Sequence, residues 1–236
     1  MRMKSQNLGV ITKMGKTEPE NSSNSSHLPT QFQDWFSSKG WGVYPHQLSL
    51  ISRLKEGKSC LLIAPTGSGK TLSGFLPSLI ELSQQSFENR TEPSLHTLYI
   101  SPLKALAVDV HRNLQIPIAE MGLEISCETR TGDTGQTKRN RQKTKPPNIL
   151  LTTPESVELM LAWPEAVLYF SKLSAVIIDE IHTVIGNKRG DLLSLSLASL
   201  RVCAPNAAFI GLSATVANPS QLASWLSVTP DLVAII

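Results

Sequence analysis

Short apolar runs recur along the chain at Cys60–Ala64, Thr97–Ile100, Ile149–Thr152, Ala175–Ile178 and Phe209–Leu212. They are nearly continuous rather than alternating, which fits strands buried on both faces of a parallel sheet. Leu123–Cys127 is expected as a sixth strand. Between the runs, apolar residues recur at helical spacing. Leu72, Phe75, Leu76, Leu79 and Ile80 mark one buried helix face, and Pro77 within it is expected to bend or shorten the helix. Ala105, Val108 and Leu114 suggest a second helix, and Leu193, Leu197 and Leu200 a third. Asn218-Pro219-Ser220-Gln221 reads as a helix start, with a capping Asn, a proline in the first turn and Gln three residues after the cap. Leu222, Trp225 and Leu226 then supply its buried stripe. Strand–helix alternation of this kind predicts an α/β fold, a mostly parallel sheet with helices on both faces. Ligands of such sheets sit at the carboxyl ends of the strands.

Residues 1–29 are polar, rich in Ser and Asn, and are expected to form a flexible tail. The folded domain is expected over 30–228. Residues 229–236, ending in Leu-Val-Ala-Ile-Ile, are expected to begin a linker or a further strand. At 236 residues and 41% hydrophobic, the chain can bury a substantial core. Its net charge of +3 permits an anionic partner without requiring one. Three well-separated cysteines argue against a disulfide scaffold or a zinc site and for a reducing compartment, with the cytoplasm as the default. No apolar run approaches the ~18 residues of a membrane span.

The first apolar run opens into Ala64-Pro65-Thr66-Gly67-Ser68-Gly69-Lys70-Thr71. A strand, a glycine-flanked turn and a helix form the context of a phosphate-binding loop. Gly67 and Gly69 let the backbone bend so that the N–H groups of Thr66 to Thr71 converge on a phosphate chain at the helix N-terminus. Lys70 reaches the β- and γ-phosphates, and the Thr71 hydroxyl serves Mg2+. Ala64 stands where the general pattern has glycine.

A second motif ends the run at 175–178: Asp179-Glu180-Ile181-His182. A carboxylate at a strand's carboxyl end faces the nucleotide edge of the sheet. Asp179 is placed to hold Mg2+ through water, and Glu180 to orient and deprotonate an attacking water. Binding alone needs the lysine and the amides. The second acid points to ATP hydrolysis.

These segments resemble superfamily 2 helicases: APTGSGKT resembles motif I, where alanine commonly opens the motif, DEIH resembles motif II in the DExH form, and Ser213-Ala214-Thr215 resembles motif III. Tyr44-Pro45-His46-Gln47 is similar to the upstream motif whose glutamine, here Gln47, reads the adenine edge. "LYISPLKALAVDVHRNL", "ETRTGDT", "PPNILLTTPES", "NKRGDLLSL" and "GLSATVANP" bring the resemblance to Lhr-type DExH-box helicases, and nearest to the bacterial ligase-associated group, over roughly residues 31–228. The resemblance implies a RecA-like P-loop NTPase lobe that uses ATP and Mg2+ and moves 3′ to 5′ on single-stranded DNA. It further implies a repair set that includes a DNA ligase. It has His182 link the ATP site to Ser213 and Thr215.

The resemblance also puts nucleic-acid contacts on three segments, around Ser101 and Lys104, Arg130-Thr131-Gly132, and Thr153-Pro154. Small hydroxyls, backbone amides and helix N-termini suit phosphates rather than bases, so binding is expected to tolerate any sequence and to weaken with salt. Lys138, Arg139, Arg141, Lys143 and Lys145 read as a basic loop. Trp35, Phe36 and Trp41, ahead of Gln47, read as core, with support of the adenine pocket as the alternative. A second RecA-like lobe with an arginine finger is implied and is not present after motif III. The chain is therefore expected to be a first motor lobe that binds ATP weakly, hydrolyses it slowly and does not unwind alone. The competing expectation is a nucleotide-gated nucleic-acid-binding module, or a subunit completed by a separate second lobe.

Overall fold

The computed structural model describes residues 28–85, 93–227 and 233–236. The expected flexible tail lies outside these residues except for Leu28, which is buried, and Pro29, which precedes helix α1. Helices α1 (Thr30–Ser38) and α2 (Pro45–Lys55) lead into β1 (Ser59–Ile63). Then follow α3 (Lys70–Gln84), β2 (Thr97–Ile100), α4 (Lys104–Glu120), β3 (Cys127–Arg130), α5 (Gln136–Thr144), β4 (Ile149–Thr152), α6 (Pro154–Leu161) and α7 (Ala166–Phe170). The chain continues through β5 (Ala175–Ile178), α8 (Lys188–Cys203), β6 (Ala208–Ser213), α9 (Pro219–Leu226) and β7 (Val233–Ile235). Among the described residues the strands form one seven-stranded sheet in the order β3-β4-β2-β5-β6-β1-β7, every pairing parallel.

The strands explain themselves by alternation. Cys60, Leu62, Tyr99, Leu151, Ile177 and Ile210 face one core with the helices α1 to α4. Leu61, Leu98, Ile100, Leu150, Val176 and Ile178 face a second core with α6 to α9. Two buried faces need apolar residues at every position, and these runs supply them. Trp35 and Phe36 are buried in the first core, with Trp41 packed against it, as expected.

Several expectations are corrected. The sixth strand lies at 127–130, not at 123–127. Leu123 instead closes α4: Gly122 takes φ +60°, its N–H reaches Ala119 O, and Leu123 N–H reaches Ile118 O. That is a left-handed helix end sealed by an apolar residue. Pro77 does not shorten α3, which runs 15 residues through it. Burial of Leu72, Phe75, Leu76, Leu79 and Ile80 outweighs the local cost of the proline. The buried face of α4 is Ala107, Val110, Leu114 and Ile118, while Ala105 and Val108 point outward. The basic stretch expected as a loop is the helix α5, pinned to edge strand β3 where Gln142 donates to Glu128 Oε2 (2.8 Å) and Thr129 O (3.1 Å). Of the two readings of the C-terminal run, it is a strand, paired to β1 from Ser59↔Val233 to Leu61↔Ile235. No helix among the described residues is long and apolar enough to cross a membrane.

Candidate nucleotide and nucleic-acid site

The turn after β1 is built from backbone. Ala64 N–H donates to Ser213 O of β6 (3.2 Å), and Ser68 closes on Pro65 O through both N–H (3.3 Å) and Oγ (2.8 Å). Gly67 and Gly69 adopt φ +87° and +74°, a region that a side chain resists. Lys70 opens α3 and is 7% exposed. Its Nζ donates to Ala64 O (2.9 Å), so the ammonium folds back across the turn. A buried ammonium held by one carbonyl is under-paired, and an anion in the turn would complete it. Thr71 beside it is half-buried, and Thr66 is exposed.

Parallel pairing fixes the acids relative to this turn. β6 lies between β1 and β5, so the ends of β1 and β5 are about 10 Å apart across the sheet. Asp179 follows β5 and is 2% exposed. Its Oδ2 accepts from the Tyr99 hydroxyl (2.5 Å), and its Oδ1 from Glu180 N–H (2.8 Å). Burial pushes the Asp179 carboxyl above its ordinary range, against the Tyr99 and Glu180 hydrogen bonds and the Lys70 charge. Burial and the neighbouring carboxylate push the Tyr99 phenol well up. Tyr99 is a residue that periodicity does not single out as functional. Its ring stacks on Phe75 of α3 (centroids 5.2 Å apart), joining the helix after the phosphate turn to the acid.

Glu180 has φ +48°, the only positive φ outside glycine among the described residues. Such a conformation costs roughly 1–3 kcal/mol and persists only where neighbours impose it. Here Glu180 O accepts from Thr183 N–H and Oγ, both at 2.8 Å. The Glu180 carboxylate lies 3.4 Å from His182 Nε2, and His182 Nδ1 lies 3.2 Å from Ser213 Oγ and 3.4 Å from Ala214 N. The chain therefore joins the acid to Ser213 through one imidazole. Thr215 is exposed and makes no side-chain hydrogen bond among the described residues.

Gln47 is fully buried at the start of α2. Its Oε1 accepts from Tyr44 N–H (2.9 Å), capping the helix, while its Nε2 has no partner among the described residues. An unpaired buried donor costs about 1–3 kcal/mol and marks a place for an acceptor. His46 beside it stacks on Tyr44, with the ring centres 5.2 Å apart. Burial pushes the His46 pKa down, opposed in part by the nearby Ser68 backbone.

The three remaining segments line the carboxyl edge of β2, β3 and β4. Ser101 is buried and its Oγ donates to Leu103 O (3.2 Å). Lys104 is exposed and pairs with Asp133 (2.9 Å), close against Gly132. Arg139 braces the turn by donating to Thr131 O and Gly132 O. Arg130 is turned inward: it donates to Arg139 O (3.0 Å), and its guanidinium sits 4.7 Å from the Trp163 ring centre. Thr153 precedes α6, Pro154 opens it, and Thr153 Oγ lies 3.3 Å from Ser156 Oγ. Sequence reasoning did not assign Arg189, whose side chain reaches both Pro102 O and Glu155. An open cleft of about 520 Å³, lined by Leu103, Leu106, Glu180, Val184, Asn187 and Arg189 among others, lies between the acid and these segments.

The model of the DEAD/DEAH box helicases matches residues 44–222, from the α2 cap through motif III into α9. The chain belongs to the DEAD/DEAH box helicase family. Within it, this helicase domain is 43% identical over 209 residues to the ATP-dependent helicase Lhr-Core of Methanocaldococcus jannaschii, covering 84% of this chain and 25% of that protein. It is 40% identical over 229 residues to the Lhr helicase/uracil glycosylase of Escherichia coli, covering 88% and 15%. Among solved structures, the helicase Lhr of Mycobacterium smegmatis bound to ssDNA and AMP-PNP superposes with a TM-score of 0.81 at 37% identity, covering 89% of this chain and 28% of that one. The chain thus spans about a quarter or less of the length of these curated relatives. The seven parallel strands with helices on both faces are the RecA-like arrangement of this family.

Proposed function

We propose that the chain is the ATP-binding motor lobe of a DNA helicase of the Lhr type. The observation that carries the reading is the meeting of Lys70, Asp179 and Ser213 at the carboxyl edge of neighbouring strands, with Lys70 buried across the turn after β1 and Asp179 buried after β5. The under-paired Lys70 ammonium and the unpartnered Gln47 amide fit the two ends of an adenosine triphosphate. Thr66, Gly67, Ser68 and Gly69 supply the backbone turn. Thr71, a hydroxyl in the first turn of α3, and Asp179, a buried carboxylate after β5, are the donor types that Mg2+ takes. The metal would neutralise charge on the phosphates. Tyr99 and the Glu180 amide hold the Asp179 carboxylate in one orientation. Glu180 orients a water and takes its proton, His182 relays its position to Ser213, and Thr215 acts only with nucleotide bound.

Single-stranded DNA crosses the β2, β3 and β4 edge, where Ser101, Lys104, Thr131, Gly132, Thr153 and Pro154 meet phosphates and Arg130 shapes the turn from behind. The similar helicase Lhr of Mycobacterium smegmatis, solved bound to ssDNA, favours DNA over RNA. Movement 3′ to 5′, unwinding, closure against a second RecA-like lobe, a cytoplasmic location and a repair set with a DNA ligase belong to the same proposal for the whole protein. The test is an ATPase assay with and without single-stranded DNA on the whole helicase that contains this lobe, in wild type and Glu180→Gln. The expected result is DNA-stimulated turnover that the variant loses while still binding ATP. Undiminished turnover in the variant would remove Glu180 from catalysis, and absence of nucleotide binding would remove the ATP site.

A further inference from the structure

We propose that Arg189 is a positioning residue that couples Glu180 to the nucleic-acid loops. The inference rests on the function proposed above and names the part that joins its two halves.

A continuous set of hydrogen bonds leads from the acid to the loops. Thr183 N–H and Oγ hold Glu180 O. Asn187 Nδ2 donates to Thr183 O (3.0 Å). Asn187 Oδ1 in turn accepts from Arg189 N (3.0 Å) and Gly190 N (3.1 Å), capping α8. The Arg189 side chain then reaches over the cleft. Its Nη2 donates to Pro102 O (2.7 Å), and its Nε donates to Glu155 Oε1 (2.8 Å). Pro102 lies between Ser101 and Lys104, and Glu155 follows Pro154. One planar guanidinium therefore fixes two of the candidate phosphate loops to the cap that also holds the Glu180 turn.

The geometry separates this role from two simpler ones. An ion pair alone can be given up to a phosphate, as at Lys104, whereas this guanidinium also donates to the Pro102 carbonyl and so ties one segment's backbone to another's carboxylate. A purely structural residue would tie together elements of one function, whereas these bonds connect the acid's turn with loops on β2 and β4. The role needs the fixed fork of arginine. Lysine offers a point charge on a flexible stem and cannot hold both acceptors in one plane.

The experiment measures ATP turnover of the whole helicase that contains this lobe against a titration of oligo(dT), in wild type, Arg189→Ala and Arg189→Lys, with the salt dependence of oligo(dT) binding. The expected result is a basal rate and an ATP KM within about 2-fold of wild type, and a DNA-stimulated kcat reduced about 10-fold in both variants. The salt slope of binding stays unchanged. A slope reduced by about one would make Arg189 a phosphate ligand and overturn the proposal. Full stimulation in Arg189→Lys would also overturn it, and that variant keeps the test decisive should Arg189→Ala fail to fold. A lowered unfolding midpoint with stimulation intact would leave only a structural role. If wild type binds ATP but shows no DNA stimulation, the functional reading itself fails. Stimulation in wild type that survives in both variants sinks this inference alone.

Discussion

The Tyr99 hydroxyl donates to Asp179 Oδ2 at 2.5 Å, joining β2 to the acid at the end of β5. Register makes the contact unavoidable. Tyr99 sits opposite Ile177, and Asp179, two residues on, points to the same face. Tyr99→Phe keeps the stack on Phe75 and removes one hydrogen bond to a buried carboxylate, worth about 1.5–3 kcal/mol. Urea unfolding should show a loss of that size, and calorimetry should show weaker binding of ATP with Mg2+. Unchanged unfolding would mean that Asp179 is held by other groups.

Gly190 is the second residue whose identity the fold dictates. A Cβ there would lie 2.0 Å from Val184 O. Backbone oxygen cannot yield as a side chain can, so Gly190→Ala must push α8 away from the turn that follows Glu180. A cost of about 2 kcal/mol or more is expected, as in overpacked cores. The denaturation midpoint reads it directly. An alanine variant as stable as wild type would show that the 184–190 turn is looser than described.

The phosphate turn and the acids were legible because they combine fixed spacing with strand and helix signals on either side. Lys70 and Asp179 needed only the rule that strands of a parallel sheet present their carboxyl ends together. Tyr99 was not legible: its partner is 80 residues away, and within "TLYI" it reads as one more buried position. Arg189 escaped for the same reason, since its acceptors lie 34 and 87 residues away, on the first turn of α6 and in the loop after β2. Strand β3 and helix α5 were misread because they lie at the sheet edge. Cys127–Arg130 has one apolar residue, and Gln136–Thr144 has none, so neither carries the periodicity that marks a buried element. Their contacts are polar, through Gln142, Glu128 and Arg141.

Acid sensitivity should trace in part to Glu81 on α3. Its Oε2 lies 3.3 Å from His96 Nε2 and accepts from Ser174 Oγ (2.9 Å). The His96 contact, outweighing burial and joined by Ser174, holds the Glu81 carboxyl below its ordinary value of 4.5. The folded state thus binds fewer protons here than the unfolded chain. Its stabilisation is full above about 4.5 and fades as pH falls through the lower folded value. Glu81→Gln should cost stability at neutral pH and flatten the fall in unfolding midpoint below pH 4.5. An equally steep acid limb in the variant would assign the fall to other carboxyls.

Lys104 offers the cleanest reading of the nucleic-acid edge, because its charge is exposed and its only ion pair among the described residues is weak. The Lys104–Asp133 contact is 2.9 Å long but more than half exposed on both sides, and such surface pairs are worth only about 0–1 kcal/mol. DNA phosphate can therefore take Lys104 from Asp133 at small cost. Lys104→Ala should weaken binding of single-stranded DNA for every sequence alike and lower the salt slope by about one. Asp133→Asn should act in the opposite direction, freeing the ammonium and tightening binding at low salt. Fluorescence anisotropy across a salt series separates the two. If both variants leave slope and affinity unchanged, the strand does not pass over the start of α4.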